Sequence, residues 1–130
     1  MRAGAKVTVA SVHDSLTVKC SRGVNLVADS IIHECSDKQW DLIALPGGMP
    51  GAEHLRDSGE LHRLLVHQNE QNKYIAAICA APAVVLQSKQ LIGHKMSTCY
   101  PAEKFKSILL NYQNQSVVID GNIITSKVML

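Results

Sequence analysis

A chain of 130 residues, 46% hydrophobic but only 4% aromatic, has the size and apolar content of one domain with an aliphatic core. Its formal net charge of +2 comes from mixed signs with no basic run and no stacking-aromatic cluster, which gives nucleic-acid binding little support. No run approaches the length of a membrane span, and Arg2 and Lys6 interrupt the N-terminus too early for a secretory signal. The cysteines at 20, 35, 79 and 99 show neither C-x-x-C spacing nor paired histidines, so zinc is not expected and a reducing, cytoplasmic setting is.

Met1-Arg2-Ala3-Gly4 reads as the last turn of a helix capped by Gly4, and Lys6–Ser11 reads as a buried strand. Leu16–Cys20 and Val24–Val27 are short β candidates around Ser21-Arg22-Gly23, and Ser30–Cys35 is ambiguous between helix and loop. Leu42–Leu45 is a fully apolar strand. Asp57 or Ser58 caps a helix reaching about Gln71, with Leu61, Leu64 and Leu65 on one face. Tyr74–Ile78 is a strand, and Pro82–Ser88 begins a helix. Lys95–Thr98 follows as a strand and Glu103–Leu110 as a helix. Val117–Asp120 and Ile123–Ser126 form a hairpin about Gly121-Asn122 or Asp120-Gly121. Strands alternating with helices imply α/β architecture with a largely parallel sheet.

The most informative stretch is Ala76-Ala77-Ile78-Cys79-Ala80-Ala81-Pro82. An apolar strand stops at a cysteine, small residues follow, and a proline opens a helix, the pattern of a nucleophile elbow built with sulfur. A thiol there meets free N–H groups and the positive end of a helix dipole, which favour thiolate. The plainer alternative is a buried structural cysteine, taken alone about equally good. A second strand, Asp41–Leu45, ends in Pro46-Gly47-Gly48-Met49-Pro50-Gly51. In an open α/β sheet the loops at neighbouring strand ends line one crevice, so the Gly48 and Ala80 amides, with Gly47 beside them, can converge on an oxyanion next to Cys79. A plain tight turn explains the glycines singly; the two strand ends together are harder to attribute to chance.

Leu45-Pro46-Gly47-Gly48 with the Cys79 elbow resembles the ThiJ/PfpI superfamily, in its DJ-one branch of Parkinson-associated deglycase-like proteins. Collinear support comes from Arg2-Ala3-Gly4 before Lys6–Ala10, from Cys20-Ser21-Arg22 before Ala28-Asp29, from Thr98-Cys99-Tyr100-Pro101, and from Asp120–Ser126. Cys99-Tyr100 looks more like the plant members. The resemblance implies a flavodoxin-like three-layer sandwich, incomplete in 1–130, because family members begin with an earlier strand and helix and continue into a further helix. An absent central strand would expose its neighbours' edges.

The same resemblance implies a glyoxalase or protein deglycase without cofactor or metal. Its substrates would be methylglyoxal, glyoxal or early glycation adducts, met by Cys79 as nucleophile. It also implies a homodimer whose interface includes Cys20–Val27 and Arg22, although a solvated turn arginine explains Arg22 equally well. The family's assisting glutamate would precede Met1, so slow or absent turnover is expected, and an organelle becomes possible if a targeting segment was lost with it. The family's histidine position falls at Tyr100, which either holds a substrate oxygen or merely packs. Histidines 13, 33, 54, 62, 67 and 94 match no motif, and Glu53 and His54 read as surface residues at a helix start. Cys99 is either a resolving or oxidisable second thiol or, more commonly for such a position, a buried strand-end cysteine; Cys20 and Cys35 read as structural or incidental. The alternatives to an enzyme are a redox-responsive stress protein or chaperone with an oxidisable Cys79, and an inactive truncated homologue.

Overall fold

The computed structural model describes residues 2–127. Its contacts fall into two compact units, residues 1–39 and 40–130.

In the first unit β1 (Ala10–Ser11) pairs in parallel with β4 (Ser30–Ile31), and β2 (Thr17–Lys19) pairs antiparallel with β3 (Asn25–Val27). The β2–β3 turn is a 3-10 turn at Ser21–Gly23 in which Arg22 takes φ of 61°. β4 leads directly into α1 (Ile32–Cys35), where the buried Cys35 thiol donates to Ser30 Oγ at 3.8 Å. Ser30–Cys35, open in the sequence, is therefore two residues of strand and one turn of helix. The Lys6–Ser11 strand shrinks to Ala10–Ser11 because a side chain intervenes. Val9 N–H donates to an Asp29 carboxylate oxygen at 2.8 Å, and Val9 C=O receives both Asp29 N–H and Ser30 N–H. Gly4 has φ of +82°, the left-handed conformation expected of a cap.

The second unit holds a four-stranded sheet in the order β5-β6-β8-β7, comprising Leu42–Leu45, Tyr74–Ile78, Ile123–Ser126 and Val117–Asp120. The first three strands are parallel and β7 closes the antiparallel hairpin. Between β5 and β6 run α2 (Gly51–Asp57) and α3 (Gly59–Glu70). Ser58 caps α3 as the sequence predicts, its Oγ accepting Leu61 N–H at 3.2 Å. Leu61, Leu64 and Leu65 are all buried. They meet a core in which Ile75, Leu86 and Ile123 are fully enclosed, each such side chain contributing about 1.5–3 kcal/mol of burial.

Three expected elements change form. Pro82–Gln87 winds as a π-helical segment, buried throughout, with Ser88 N–H donating to Ala83 C=O five residues back. Lys95–Thr98 is not a strand: only Ser97 bridges, to Tyr112. Side chains take two of its four donors, Met96 N–H going to an Asp120 carboxylate oxygen and Thr98 N–H to Thr125 Oγ1. The helix expected over Glu103–Leu110 is only α4 (Glu103–Lys106), and Leu110 N–H is captured by Gln87 Oε1 at 3.2 Å.

At the N-terminal edge of the sheet the buried Asn122 side chain joins three elements. Its Nδ2 donates to Asn69 Oδ1 and Lys73 C=O, both at 2.9 Å, and its Oδ1 accepts Lys95 Nζ at 2.8 Å. A cleft of about 320 Å³ opens beside it, lined by Asp41, Lys73, Tyr74 and Gly121 among others. It lies at the strand ends opposite Cys79. No helix among the described residues is long and apolar enough to cross a membrane.

Candidate functional site

Parallel pairing decides what meets at the C-terminal edge. Leu45 is registered with Ala77 and Ser126 with Ile78, so the segments leaving β5, β6 and β8 emerge side by side. Cys79 is the first residue beyond β6 and takes φ of 64°. For a non-glycine residue this left-handed backbone costs about 1–2 kcal/mol and persists only when neighbours hold it. Here they do. Cys79 N–H donates to the carbonyls of Ser126 at 3.1 Å and Lys127 at 2.6 Å, and Cys79 C=O accepts Tyr100 N–H at 2.7 Å.

Gly47 lies against this bend. A Cβ built on it would fall 2.5 Å from Cys79 Cβ, 2.9 Å from the Ile78 carbonyl oxygen and 3.2 Å from Cys79 Sγ. Only a residue without a side chain allows the β5 loop to approach the thiol so closely. Gly48, at φ of +89°, is open to solvent, and its carbonyl accepts Ala52 N–H at the start of α2. Among the described residues no protein acceptor takes the Gly48 or Ala80 amide, while the Cys79 amide is committed to β8. The Cys79 thiol is partly exposed, and no described side chain hydrogen-bonds its sulfur.

Tyr100 is 41% exposed and meets Phe105 edge-on, ring centres 6.2 Å apart. Cys99, beside it, is fully enclosed, and its thiol donates to the Tyr100 carbonyl at 3.3 Å. Burial pushes this thiol up from 9.0 to about 11. A negative charge on Cys79 adds to the rise, while Lys106 and Lys127 oppose it.

The structure thus gathers Cys79, Gly47, Gly48, Ala80, Cys99 and Tyr100 at one sheet edge. Cys20, exposed, and Cys35, buried, belong to the 1–39 unit, as does Arg22. His62 and His67 lie on α3, His67 exposed and His62 half-buried with a shielded, unpartnered Nδ1. The carbonyls of Ser126 and Lys127 are the contribution that motif reading misses. Their only signal is Thr125-Ser126 at the end of a hairpin strand, and it acquires meaning once β8 is known to lie beside β6.

Comparison with known proteins places the chain as a whole. The family profile described as DJ-1/PfpI family matches residues 1–129. Protein DJ-1 homolog B of Arabidopsis thaliana is 43% identical over 126 residues, 97% of this chain and 29% of that protein. Protein dj-1beta of Drosophila melanogaster is 39% identical over 129 residues, covering 97% of this chain and 68% of its own. The chain therefore spans under a third of that plant relative and about two thirds of the fly one. Among solved structures, oxidized Toxoplasma gondii DJ-1 superposes with a TM-score of 0.92 at 44% identity, covering 97% of this chain and 68% of that one. The glutathione-independent glyoxalase DJR-1.2 of Caenorhabditis elegans is 32% identical over 111 residues, 85% of this chain and 59% of that protein.

Proposed function

The chain belongs to the DJ-1/PfpI family, with its flavodoxin-like α/β fold, and on that premise we propose that it is a cofactor-independent glyoxalase or deglycase acting on small aldehydes through Cys79. The observation that carries the reading is the left-handed Cys79, held at the sheet edge against Gly47. The glyoxalase name of the nematode relative supplies the substrate class, a 1,2-dicarbonyl such as methylglyoxal or glyoxal. Early glycation adducts present the same kind of carbon.

In this reading the Cys79 sulfur adds to the aldehyde carbon, forming a hemithioacetal. The carbonyl oxygen, now bearing the negative charge, lies against the uncommitted Gly48 and Ala80 amides. A base takes the proton from the first carbon to give an enediolate, protonation at the second carbon gives the Cys79 thioester of the hydroxy acid, and water cleaves the C–S bond, releasing the acid and returning the thiol. Tyr100, partly exposed beside the elbow, is the described side chain suited to hold a substrate oxygen. The protein acts as a homodimer in the cytoplasm.

The test is conversion of methylglyoxal to lactate without glutathione. Cys79→Ser abolishes turnover, whereas Cys99→Ser keeps most of it. An inert parent protein, or activity surviving Cys79→Ser, overturns the reading. Sedimentation that finds only monomer at high concentration overturns the dimer.

A further inference from the structure

We propose that Cys99 is the resolving thiol for Cys79: once hydrogen peroxide has oxidised Cys79, the two sulfurs close into an intramolecular disulfide that halts oxidation at a reversible stage. The hydrogen bond from Tyr100 N–H to Cys79 C=O, 2.7 Å long, is the geometric basis. A Cα lies about 2.4 Å from its own carbonyl oxygen, and an amide nitrogen about 2.4 Å from the preceding Cα. Added to the hydrogen bond, these place the Cα atoms of Cys79 and Cys99 at most about 7.5 Å apart, and closer at ordinary angles; disulfides need about 4.4–6.8 Å. Oxidation of Cys79 also removes the negative charge that helps hold the proton on Cys99, which favours its attack.

The two thiols differ in what reaches them. Cys79 is partly exposed and open to a small peroxide, whereas Cys99 has 0% exposure and meets an oxidant only through Cys79. The segment that carries Cys99 is held beside the elbow, by Thr98 N–H on Thr125 Oγ1 at 2.9 Å and Tyr100 N–H on the Cys79 carbonyl. The Cys99 side chain itself makes one thiol–carbonyl contact, to Tyr100.

In the first step the Cys79 thiolate attacks one peroxide oxygen, the O–O bond breaks and hydroxide leaves, so sulfur is oxidised to sulfenic acid as peroxide is reduced. In the second the Cys99 sulfur attacks the Cys79 sulfur, the S–O bond breaks, and the departing hydroxide leaves as water with the Cys99 proton. The sum is two thiols and one peroxide giving one disulfide and two waters.

The experiment treats the intact protein with one equivalent of hydrogen peroxide at neutral pH and blocks free thiols with N-ethylmaleimide before unfolding. Peptides are then mapped by mass spectrometry with and without dithiothreitol. The expected result is a dithiothreitol-reversible linkage between the Cys79 and Cys99 peptides. In Cys99→Ser and in Cys99→Ala, sulfinate at Cys79 accumulates about tenfold more than in the parent. Three results overturn the proposal: sulfinate at Cys79 in the parent with no Cys79–Cys99 linkage, linkage to Cys20 or Cys35 in equal yield, or equal sulfinate in parent and variants. The linkage is read on the unaltered protein and needs no turnover, so its fate is independent of the glyoxalase reading.

Discussion

Replacing Gly47 with alanine tests the close approach on which the candidate site depends. The new methyl group would lie 2.5 Å from Cys79 Cβ and 2.9 Å from the Ile78 carbonyl oxygen. Carbon atoms in contact rest about 3.5–4.0 Å apart, so the β5 loop and the elbow must separate by about 1 Å. Neither obstacle is the loose end of a side chain. Cys79 is held by hydrogen bonds to Ser126, Lys127 and Tyr100, and Ile78 is the last residue of a central strand. Overpacking of this kind costs about 1–3 kcal/mol. At about 3–5 °C per kcal/mol for a chain of this length, the melting temperature falls by about 3–15 °C. Gly48→Ala is the control. Nothing lies within 4 Å of its Cβ position, and its φ of +89° makes the cost pure backbone strain, about 1–2 kcal/mol. Calorimetry and iodoacetamide labelling of Cys79 separate the two. Both variants melt earlier, but only Gly47→Ala alters the labelling rate severalfold. If Gly47→Ala melts within about 1 °C of the parent and labels Cys79 at the same rate, the packing argument is wrong.

Cys99 imposes an alkaline limit on stability. Its thiol is raised from 9.0 to about 11 in the folded protein, so the unfolded chain loses this proton first. The contribution is complete below pH 9 and is lost as pH rises from 9 to 11, a fall of about 2–3 kcal/mol that Cys99→Ala lacks. Urea denaturation of both proteins across that window checks it, and parallel slopes refute it. Asn122→Ala removes at once the donors to Asn69 Oδ1 and the Lys73 carbonyl and the acceptor of Lys95 Nζ, and should lower stability by about 2–4 kcal/mol, read as the urea midpoint. A change below about 0.5 kcal/mol would show that water replaces the side chain without loss.

Elements whose stability is local or whose strands are wholly apolar were legible from composition. Leu42–Leu45 and Tyr74–Ile78 are uninterrupted apolar runs, the β7–β8 hairpin has its turn at Gly121-Asn122, and α3 begins where Ser58 offers a cap. The elements that came out shorter were decided by distant polar side chains. Asp29 takes Val9 N–H, Asp120 takes Met96 N–H and Gln87 takes Leu110 N–H, and no local periodicity carries that information. α2 showed itself only as a helix start at Glu53 and His54, since Gly51 and the preceding proline resemble the loop. At the candidate site, the meeting of Gly47 with Cys79 followed from two adjacent parallel strands. The clamp on Cys79 did not, because it depends on which strand becomes β6's other neighbour.

That clamp makes the thiol's conformation a property of the whole second unit rather than of the elbow peptide. Cys79 is fixed by the Gly47 loop upstream and by Tyr100 and the β8 terminus downstream, all distant in sequence, so the clamp exists only once long-range contacts have closed. A nascent or partly opened chain carries the same cysteine on a relaxed backbone, apart from the amides and carbonyls that define its surroundings. The elbow geometry is thereby withheld until the sheet is complete, and a change in the labelling rate of this one sulfur reports how much of the population is folded.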